Sequence, residues 1–287
     1  MKFVFFGSSD FSVYVLNELK SHNIIPDLII TTPDKPKGRK LILTPTSVKI
    51  WAGQNNIEVI SPNSLKNNPS LVSKLKALSP KLFLVASYGN IIPKEIFEIP
   101  GKKTLNIHPS LLPKYRGASP LQSQILNNEK EVGVTIIQIN QEMDAGPIVA
   151  KRQLSTFNFQ LSIPGRKELE KKLAIEGAQL FAHILPEWLK GTINPIMQNE
   201  KDATYCQKIE KRDGELQIDL ENLSKNAQEN FLKIKAFEDW PGTYFFSKNK
   251  RIIITNAILE DDKLKILKVK PEGKSEMTFE DFLRGIK

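Results

Sequence analysis

The sequence contains few cysteines and histidines and no long hydrophobic run. Its 287 residues include one cysteine, Cys206, and three histidines. A single cysteine cannot form a disulfide within the chain, and without a Cys/His cluster the sequence has no zinc-binding pattern. The apolar run FVFF near the N-terminus is too short for a signal peptide, and no later run reaches the roughly eighteen apolar residues of a membrane span. We therefore expect a cytoplasmic protein without a metal centre and without a membrane partner.

The composition is that of an ordinary globular protein with an excess of positive charge. Hydrophobic residues make up 40% and charged residues 25% of a chain whose length suits two domains. The formal net charge is +9, and residues 207–287 hold 16 Lys and Arg against 15 Asp and Glu, so +8 lies in residues 1–206. Five basic residues and one acidic residue fall within residues 32–49. On charge alone, simple solubility and a polyanionic partner are both open explanations.

Strand-like and helix-like segments alternate over residues 1–189. Helical periodicity separates short apolar runs, and we predict strands at 2–6, 27–31, 58–60, 81–88, 104–108, 132–139 and 147–154, followed by a long helix over 166–189. This alternation predicts an α/β domain with a Rossmann-like, mostly parallel sheet that is covered on both faces. The first strand leads into GSSDF, which lacks the GxGxxG of dinucleotide-binding proteins, so NAD binding is disfavoured.

A linker and a second domain are predicted after the long helix. Residues 190–206 contain Gly, Pro and polar residues without sustained periodicity, which is typical of a linker. Residues 207–287 contain a helical segment and then four short strand-like runs, TYFF, RIIIT, KLKILKV and MTF. Short strands at this spacing predict a small β-barrel or a sandwich.

The stretch LNIHPSLLPKYRG, residues 105–117, carries the candidate chemistry. Residues two apart on a strand point the same way, so Asn106 and His108 project together at the carboxyl end of a predicted strand. Open α/β sheets bind ligands at this edge. A carboxamide can donate a hydrogen bond to an oxygen that becomes negative, and an imidazole can move a proton near neutral pH. The pair suits acyl transfer.

Asp144 is the expected third member of this group. It follows the next predicted strand along the chain, and neighbouring strand ends in a parallel sheet lie close together. Its carboxylate would orient His108 and stabilise the positive charge of the imidazolium. On these residues alone, a His108 that only bonds to a loop and an Asp144 that only forms a turn remain open alternatives.

The whole stretch closely resembles the folate-site segment of the 10-formyltetrahydrofolate-dependent formyltransferases. The family motif reads Asn-x-His-x-Ser-Leu-Leu-Pro-x-Tyr/Phe-Arg/Lys-Gly and is followed later by an Asp, as in this sequence. The resemblance implies 10-formyltetrahydrofolate as co-substrate, no metal, and a catalytic triad of Asn106, His108 and Asp144. It also implies a folate pocket whose lining residues are Ser110, Leu111, Leu112, Pro113 and, in the turn VASYGNIIP, Tyr88.

Further segments resemble the methionyl-tRNA formyltransferases in particular. TTPDKPKGRKLILTPTSVK is similar to the loop that this family directs toward the tRNA acceptor stem, and two C-terminal stretches are similar to its linker and barrel. The resemblance implies an OB-like barrel, a protein expected to be monomeric, and initiator methionyl-tRNA as the formyl acceptor in translation initiation. It assigns tRNA binding to Lys35, Lys37, Arg39 and Lys40, which lie in a loop broken by Pro and Gly.

Three alternatives remain to be weighed. Sugar-nucleotide N-formyltransferases and a formyltetrahydrofolate hydrolase share the Asn-His-Asp set, but the basic loop and the match along the whole chain argue against both. A non-catalytic RNA-binding module is the alternative from a different class, and the intact Asn106, His108 and Asp144 argue against it. The charge of residues 207–287 is only +1 (16 − 15), which leaves their part in tRNA binding open.

Overall fold

The computed structural model describes residues 1–38, 41–154 and 164–285. Strands and helices alternate over the first part, where the elements in chain order are β1 Phe3–Phe6, α1 Asp10–Ser21, β2 Leu28–Ile30, β3 Lys35–Lys37, β4 Ile42–Thr44, α2 Ser47–Gln54, β5 Val59–Ile60, α3 Pro69–Leu78, β6 Leu82–Val85, α4 Lys94–Phe97, β7 Thr104–His108, β8 Arg116–Gly117, α5 Pro120–Leu126, β9 Val132–Gln138, β10 Ile148–Leu154 and α6 Arg166–Lys190. The seven predicted strands correspond to β1, β2, β5, β6, β7, β9 and β10, whereas β3, β4 and β8 were not predicted. The later elements are β11 Tyr205–Cys206, α7 Ala227–Ala236, β12 Thr243–Ser247, β13 Lys250–Glu260, β14 Lys263–Pro271, β15 Met277–Thr278 and α8 Phe279–Arg284.

The main sheet is mostly parallel, as the alternation predicts. Within the described residues it has seven strands in the order β10-β9-β7-β6-β1-β2-β5. The five neighbouring strands β7, β6, β1, β2 and β5 pair in parallel. In contrast, β9 runs antiparallel to β7, and β10 runs antiparallel to β9. The central strands β1 and β6 are buried along their whole length, which is the property of a sheet covered on both faces.

The turn after β1 is held tightly against the turn after β6. A Cβ at Gly7 would lie 2.6 Å from the Phe5 ring and 2.7 Å from Ser12, so only glycine fits there. The Ser12 hydroxyl donates to the Ala86 carbonyl at 2.6 Å, and the Ser8 hydroxyl donates to the Tyr88 carbonyl at 3.1 Å. These bonds fix the carboxyl ends of the two central strands relative to each other.

The chain packs as two compact units. The first comprises Met1–Ala118, Glu131–Leu154 and Glu170–Tyr205; the second comprises Ser119–Lys130, the described part of the segment ending at Leu169, and the chain from Cys206 onward. The division at Tyr205/Cys206 falls at the end of the predicted linker. However, residues 190–205 pack within the first unit, and Ser119–Lys130, which the sequence places in the first domain, packs within the second.

The second unit contains the predicted antiparallel strands. Its described residues form a four-stranded sheet in the order β12-β13-β14-β15, with each neighbouring pair antiparallel. Phe245, Ile252 and Val269 lie on the buried face, against Phe231 of α7 and Phe282 of α8. The alternation of buried and exposed residues along β14 is that of a sheet with one solvated face.

None of the helices in the described parts of the chain is both long enough and apolar enough to span a membrane.

Candidate active site

His108 and Asn106 lie at the carboxyl end of β7, between β6 and β9. The period of the strand places both side chains on one face, as predicted. His108 is buried, and Asn106 is partly exposed. A buried imidazole next to a partly exposed amide can contact a substrate while bulk water is largely excluded from the ring.

Asp144 meets both side chains, but by a different route from the predicted one. The prediction placed Asp144 beyond the end of a neighbouring parallel strand, and this was wrong because β9 runs antiparallel to β7, with Gln138 opposite Leu105. The turn between β9 and β10 instead brings Asp144 back to the site. Its Oδ1 accepts from Asn106 Nδ2 at 3.3 Å, and its Oδ2 lies 3.6 Å from His108 Nδ1.

The Asp144 carboxylate has a further hydrogen-bond donor in the short strand β8. The Gly117 main-chain N–H donates to Asp144 Oδ2 at 2.9 Å. Asp144 itself has φ +53°, a left-handed conformation that Asp tolerates better than most residues. The carboxylate is thus fixed from two sides, by an amide side chain and by a main-chain N–H.

The two nitrogens of His108 have different surroundings. Nε2 lies 2.9 Å from the Tyr115 carbonyl oxygen, which can only accept a hydrogen bond, so Nε2 carries the proton in the neutral ring. Nδ1 faces the Asp144 carboxylate at 3.6 Å, which is longer than a hydrogen bond. Nδ1 is therefore the nitrogen that carries the lone pair in the neutral ring.

The Ser-Leu-Leu-Pro loop is held rigidly to β9. Thr135 Oγ1 donates to the Ser110 carbonyl at 2.7 Å and accepts from the Leu112 N–H at 3.0 Å. Ser110 and Leu112 are fully buried, and the Ser110 hydroxyl donates to the Lys114 carbonyl at 2.7 Å. Leu111 and Pro113 are only half-buried. Of these four side chains, only those of Leu111 and Pro113 keep part of their surface exposed.

Tyr88 lies in the core rather than on a pocket wall. Its ring packs edge-on against Phe6, with centroids 5.6 Å apart, and burial raises the pKa of its hydroxyl. The adjoining Ser87 and Gly89 both have positive φ, +51° and +82°. The turn therefore presents its main chain, rather than the Tyr88 ring, at the carboxyl edge of β6.

The first 184 residues match the family model described as "Formyl transferase". The methionyl-tRNA formyltransferase of Sulfurihydrogenibium sp. is 38% identical over 269 residues, which cover 93% of this chain and 83% of that protein. The chain belongs to the methionyl-tRNA formyltransferase family. This confirms the resemblance that the motif around His108 indicates.

Two solved structures of formyltransferases share the fold of this chain. One is a methionyl-tRNA formyltransferase from Clostridium thermocellum, with a TM-score of 0.60 and 20% identity, covering 97% of this chain and 99% of that one. Another is an N-formyltransferase from Helicobacter canadensis in complex with folinic acid and dTDP-3-aminofucose, with a TM-score of 0.61 and 21% identity, covering 91% and 89%. At these identities the similarity establishes the fold alone.

The basic segment of this family member forms a hairpin in its described part. β3 and β4 pair antiparallel, with Lys35 opposite Thr44 and Lys37 opposite Ile42, where a loop broken by Pro and Gly was predicted. Lys35 is exposed; Arg39, Lys40 and the side chain of Lys37 lie outside the described residues. Sequence reasoning missed three exposed apolar side chains at the start of β4: Leu41, Ile42 and Leu43.

Sequence reasoning also missed two polar residues that support Asp144. Gln198 lies in the predicted linker, and its amide donates to the Asp144 carbonyl at 2.8 Å. Arg116 belongs to the motif but received no role; it is fully buried and donates to Gln198 at 3.0 Å. The Arg-Gly of the motif is the one sequence signal that points to this pair. The partner of Arg116 is visible only in three dimensions.

Over the described residues, no three His, Cys, Asp or Glu side chains come together in a way that could hold a metal ion.

Proposed function

We propose that this chain transfers the formyl group of 10-formyltetrahydrofolate to the α-amino group of methionine on initiator methionyl-tRNA, in translation initiation. The observation that carries the proposal is the meeting of Asn106, His108 and Asp144 at the end of β7. Together they supply a hydrogen-bond donor, a proton carrier and a carboxylate, the groups that acyl transfer requires. The family relatives bear the name of this activity.

Asn106 is assigned to the oxygen of the formyl group. The folate co-substrate supplies an activated formyl carbon, whose oxygen becomes negative when the amine of methionine adds to it. One N–H of the Asn106 amide donates to Asp144, which leaves the second N–H to donate to this oxyanion. Because the amide is already oriented by Asp144, it does not have to reorganise during the reaction.

His108 is assigned to proton transfer through Nδ1, since Nε2 is bonded to the Tyr115 carbonyl. It accepts the proton that the attacking amine loses as the new C–N bond forms. As the imidazolium it adds to the stabilisation of the oxyanion, and it then returns the proton to the folate nitrogen whose bond to the formyl carbon breaks. Asp144, 3.6 Å away, stabilises the positive charge of the ring in that interval.

The folate pocket is proposed along the loop after β7 and the turn after β6. Leu111 and Pro113 offer half-buried apolar surface to the ligand, whereas the buried Ser110 and Leu112 hold the loop in shape. The ring of Tyr88 is buried, so only the main chain of its turn can line the proposed pocket. The apolar surface of Leu111 and Pro113 suits a flat heterocycle.

The hairpin of β3 and β4 is the proposed contact with the acceptor stem. The basic residues of this part of the sequence, Lys35, Lys37, Arg39 and Lys40, are matched by family resemblance to the loop that approaches the tRNA, and phosphates are the natural partners of such a group. The exposed apolar side chains of Leu41, Ile42 and Leu43 can contact the unpaired end of the stem. We further propose that the protein acts as a monomer in the cytoplasm, the compartment in which translation is initiated.

A sugar-nucleotide formyltransferase is the second candidate, because a structure with that kind of ligand shares the fold. The basic hairpin and the relatives named for methionyl-tRNA favour the tRNA substrate.

The test mixes the purified protein with 10-formyltetrahydrofolate and one acceptor at a time: initiator methionyl-tRNA, elongator methionyl-tRNA or a nucleotide-linked amino sugar. Formyl-methionine formed with the initiator alone supports the proposal. Formylation of the sugar alone, or tetrahydrofolate release that needs no acceptor, contradicts it.

A further inference from the structure

A ten-residue segment, 196–205, which we call the strap, is bonded at both ends to loops that carry the site. At one end, Ile196 exchanges two main-chain hydrogen bonds with Ile148, 2.7 and 2.8 Å long, just after the Asp144 turn. At the other end, the Thr204 carbonyl accepts from the Arg116 N–H at 2.8 Å, and the Thr204 hydroxyl accepts from the Tyr115 N–H at 2.8 Å. Tyr115 is the residue whose carbonyl holds His108. The strap thus reaches both flanks of the site.

Gln198 lies between these two ends and is directed at the Asp144 turn. Its Nε2 donates to the Asp144 carbonyl and to the Gly146 carbonyl, both at 2.8 Å. Its Oε1 accepts from Arg116 Nε at 3.0 Å. The residue is 8% exposed, so its amide bonds almost entirely to the protein. Both donors and the acceptor of this carboxamide are used to join the strap to the turn.

Arg116 determines which way the Gln198 amide faces. A guanidinium has donors and no acceptor, so the oxygen of the amide must point at Arg116 and the nitrogen must point at the turn. Arg116 is 0% exposed and is itself held by Glu200, whose two carboxylate oxygens accept from the guanidinium at 2.8 and 2.9 Å. The Tyr205 hydroxyl lies 3.0 Å from the same guanidinium. The orientation of Gln198 is therefore fixed before any substrate binds.

We propose that Gln198 is a positioning residue for the formyl transfer. Its amide holds the main chain of the Asp144 turn so that the carboxylate reaches Asn106, His108 and Gly117 at once. Arg116 acts indirectly, because its hydrogen bond orients the Gln198 amide. The inference rests on the proposed catalytic role of Asp144. It extends the functional site into a segment that lies beyond residues 1–184, the part of the chain that the family model matches.

The energetic reason is the conformation of Asp144. A left-handed backbone at a non-glycine residue is less stable than an extended or right-handed helical one, and it persists when the surroundings impose it. Two hydrogen bonds from Gln198 to the carbonyls of the turn supply that constraint. A shift of the carboxylate by about 1 Å is enough to lower the rate of an enzymatic step about 100-fold.

The decisive variant is Gln198→Glu. It keeps the length of the side chain and an oxygen for Arg116, but it turns an oxygen instead of a donor toward two carbonyls. We expect kcat for formylation to fall about 10- to 100-fold, with the KM for both substrates changed less than about threefold. Gln153→Glu makes the same chemical change at an exposed position of β10 and is the control; its kcat should equal that of the wild type. If Gln198→Glu does not fold, Gln198→Met replaces it, because methionine has no hydrogen-bond donor and adds no charge.

A double-mutant cycle separates positioning from plain stability. In the Asp144→Ala background, under single-turnover conditions, adding Gln198→Glu should lower the rate less than about twofold, because the residue through which it acts is gone. The inference is overturned if Gln198→Glu also lowers the rate about 10- to 100-fold in the Asp144→Ala background. It is overturned as well if the Gln198→Glu single variant keeps the wild-type kcat. If the wild type does not formylate methionyl-tRNA, the proposed function has failed. If Asp144→Ala alone keeps full turnover, the catalytic role of Asp144 is wrong and the inference about Gln198 is overturned with it.

Discussion

Asp144 Oδ2 lies 3.6 Å from His108 Nδ1, the ring nitrogen that the Tyr115 carbonyl does not contact. The separation is too long for a hydrogen bond but short enough for the carboxylate to stabilise a positive charge on the ring. We therefore expect Asp144→Asn, which keeps the shape and removes the charge, to lower kcat about 100-fold or more, with little change in the KM for folate. Steady-state formylation measures both. An unchanged kcat in a folded variant would remove Asp144 from the mechanism.

Asn106→Ala removes the proposed donor to the oxyanion. We expect a loss of kcat of about 100- to 1,000-fold, as for other single oxyanion donors, with unaltered thermal unfolding because the side chain is partly exposed. His108→Ala should lower kcat by a comparable or larger factor. If formylation by either variant stays within about threefold of the wild type, the assignment is wrong.

Arg39→Ala and Lys35→Ala test the basic hairpin. Each should raise the KM for methionyl-tRNA and lessen the slope of log KM against log salt, because fewer counterions are released when a phosphate contact is lost. Lys74→Ala, on the exposed face of α3, is the matched control. A change in folate binding with unaltered tRNA use would contradict the assignment.

Thr135→Val tests the rigidity of the folate loop. The buried hydroxyl bridges the Ser110 carbonyl and the Leu112 N–H, and its loss should lower the free energy of unfolding by about 1 to 3 kcal/mol. Because the loop would then be less ordered, the KM for 10-formyltetrahydrofolate should also rise. Chemical unfolding and steady-state kinetics check the two effects. Thr192→Val, at an exposed position, should show neither.

The ion pair between Glu200 of the strap and Arg116 makes the stability of the protein depend on pH. Hydrogen bonds from Arg116 hold the pKa of the Glu200 carboxyl below its usual range. A carboxyl with a lowered folded-state pKa contributes stability that is present above its unfolded pKa and is lost as the pH falls through its folded pKa. Glu200→Gln should therefore lower Tm near neutral pH, and the difference from the wild type should shrink in acid. Glu98→Gln, at an exposed helical pair, is the comparison. A Tm difference that does not vary with pH would contradict this role.

Much of the architecture could be predicted from local patterns. Buried runs such as Phe3–Phe6 and the long helix Arg166–Lys190 appear in the structure close to their predicted bounds. The direction of β9 could not be predicted, because the same buried run, VGVTIIQ, can pair either way. The hairpin of β3 and β4 was likewise hidden, since a segment rich in Lys, Pro and Gly has no strand periodicity.

The sequence by itself determined the pairing of Asn106 with His108, because the two-residue period of a strand puts them on one face whatever surrounds them. It also determined the family, through an ordered and irregular motif. Only the tertiary structure decided how Asp144 reaches them, and that Gln198 and Arg116 hold it there. The physical reason is that a strand period acts over neighbouring residues. In contrast, the position of the Asp144 turn depends on the antiparallel pairing of β9 with β7. The position of Gln198 depends on hydrogen bonds between the linker and that turn, and both involve segments far apart in the chain.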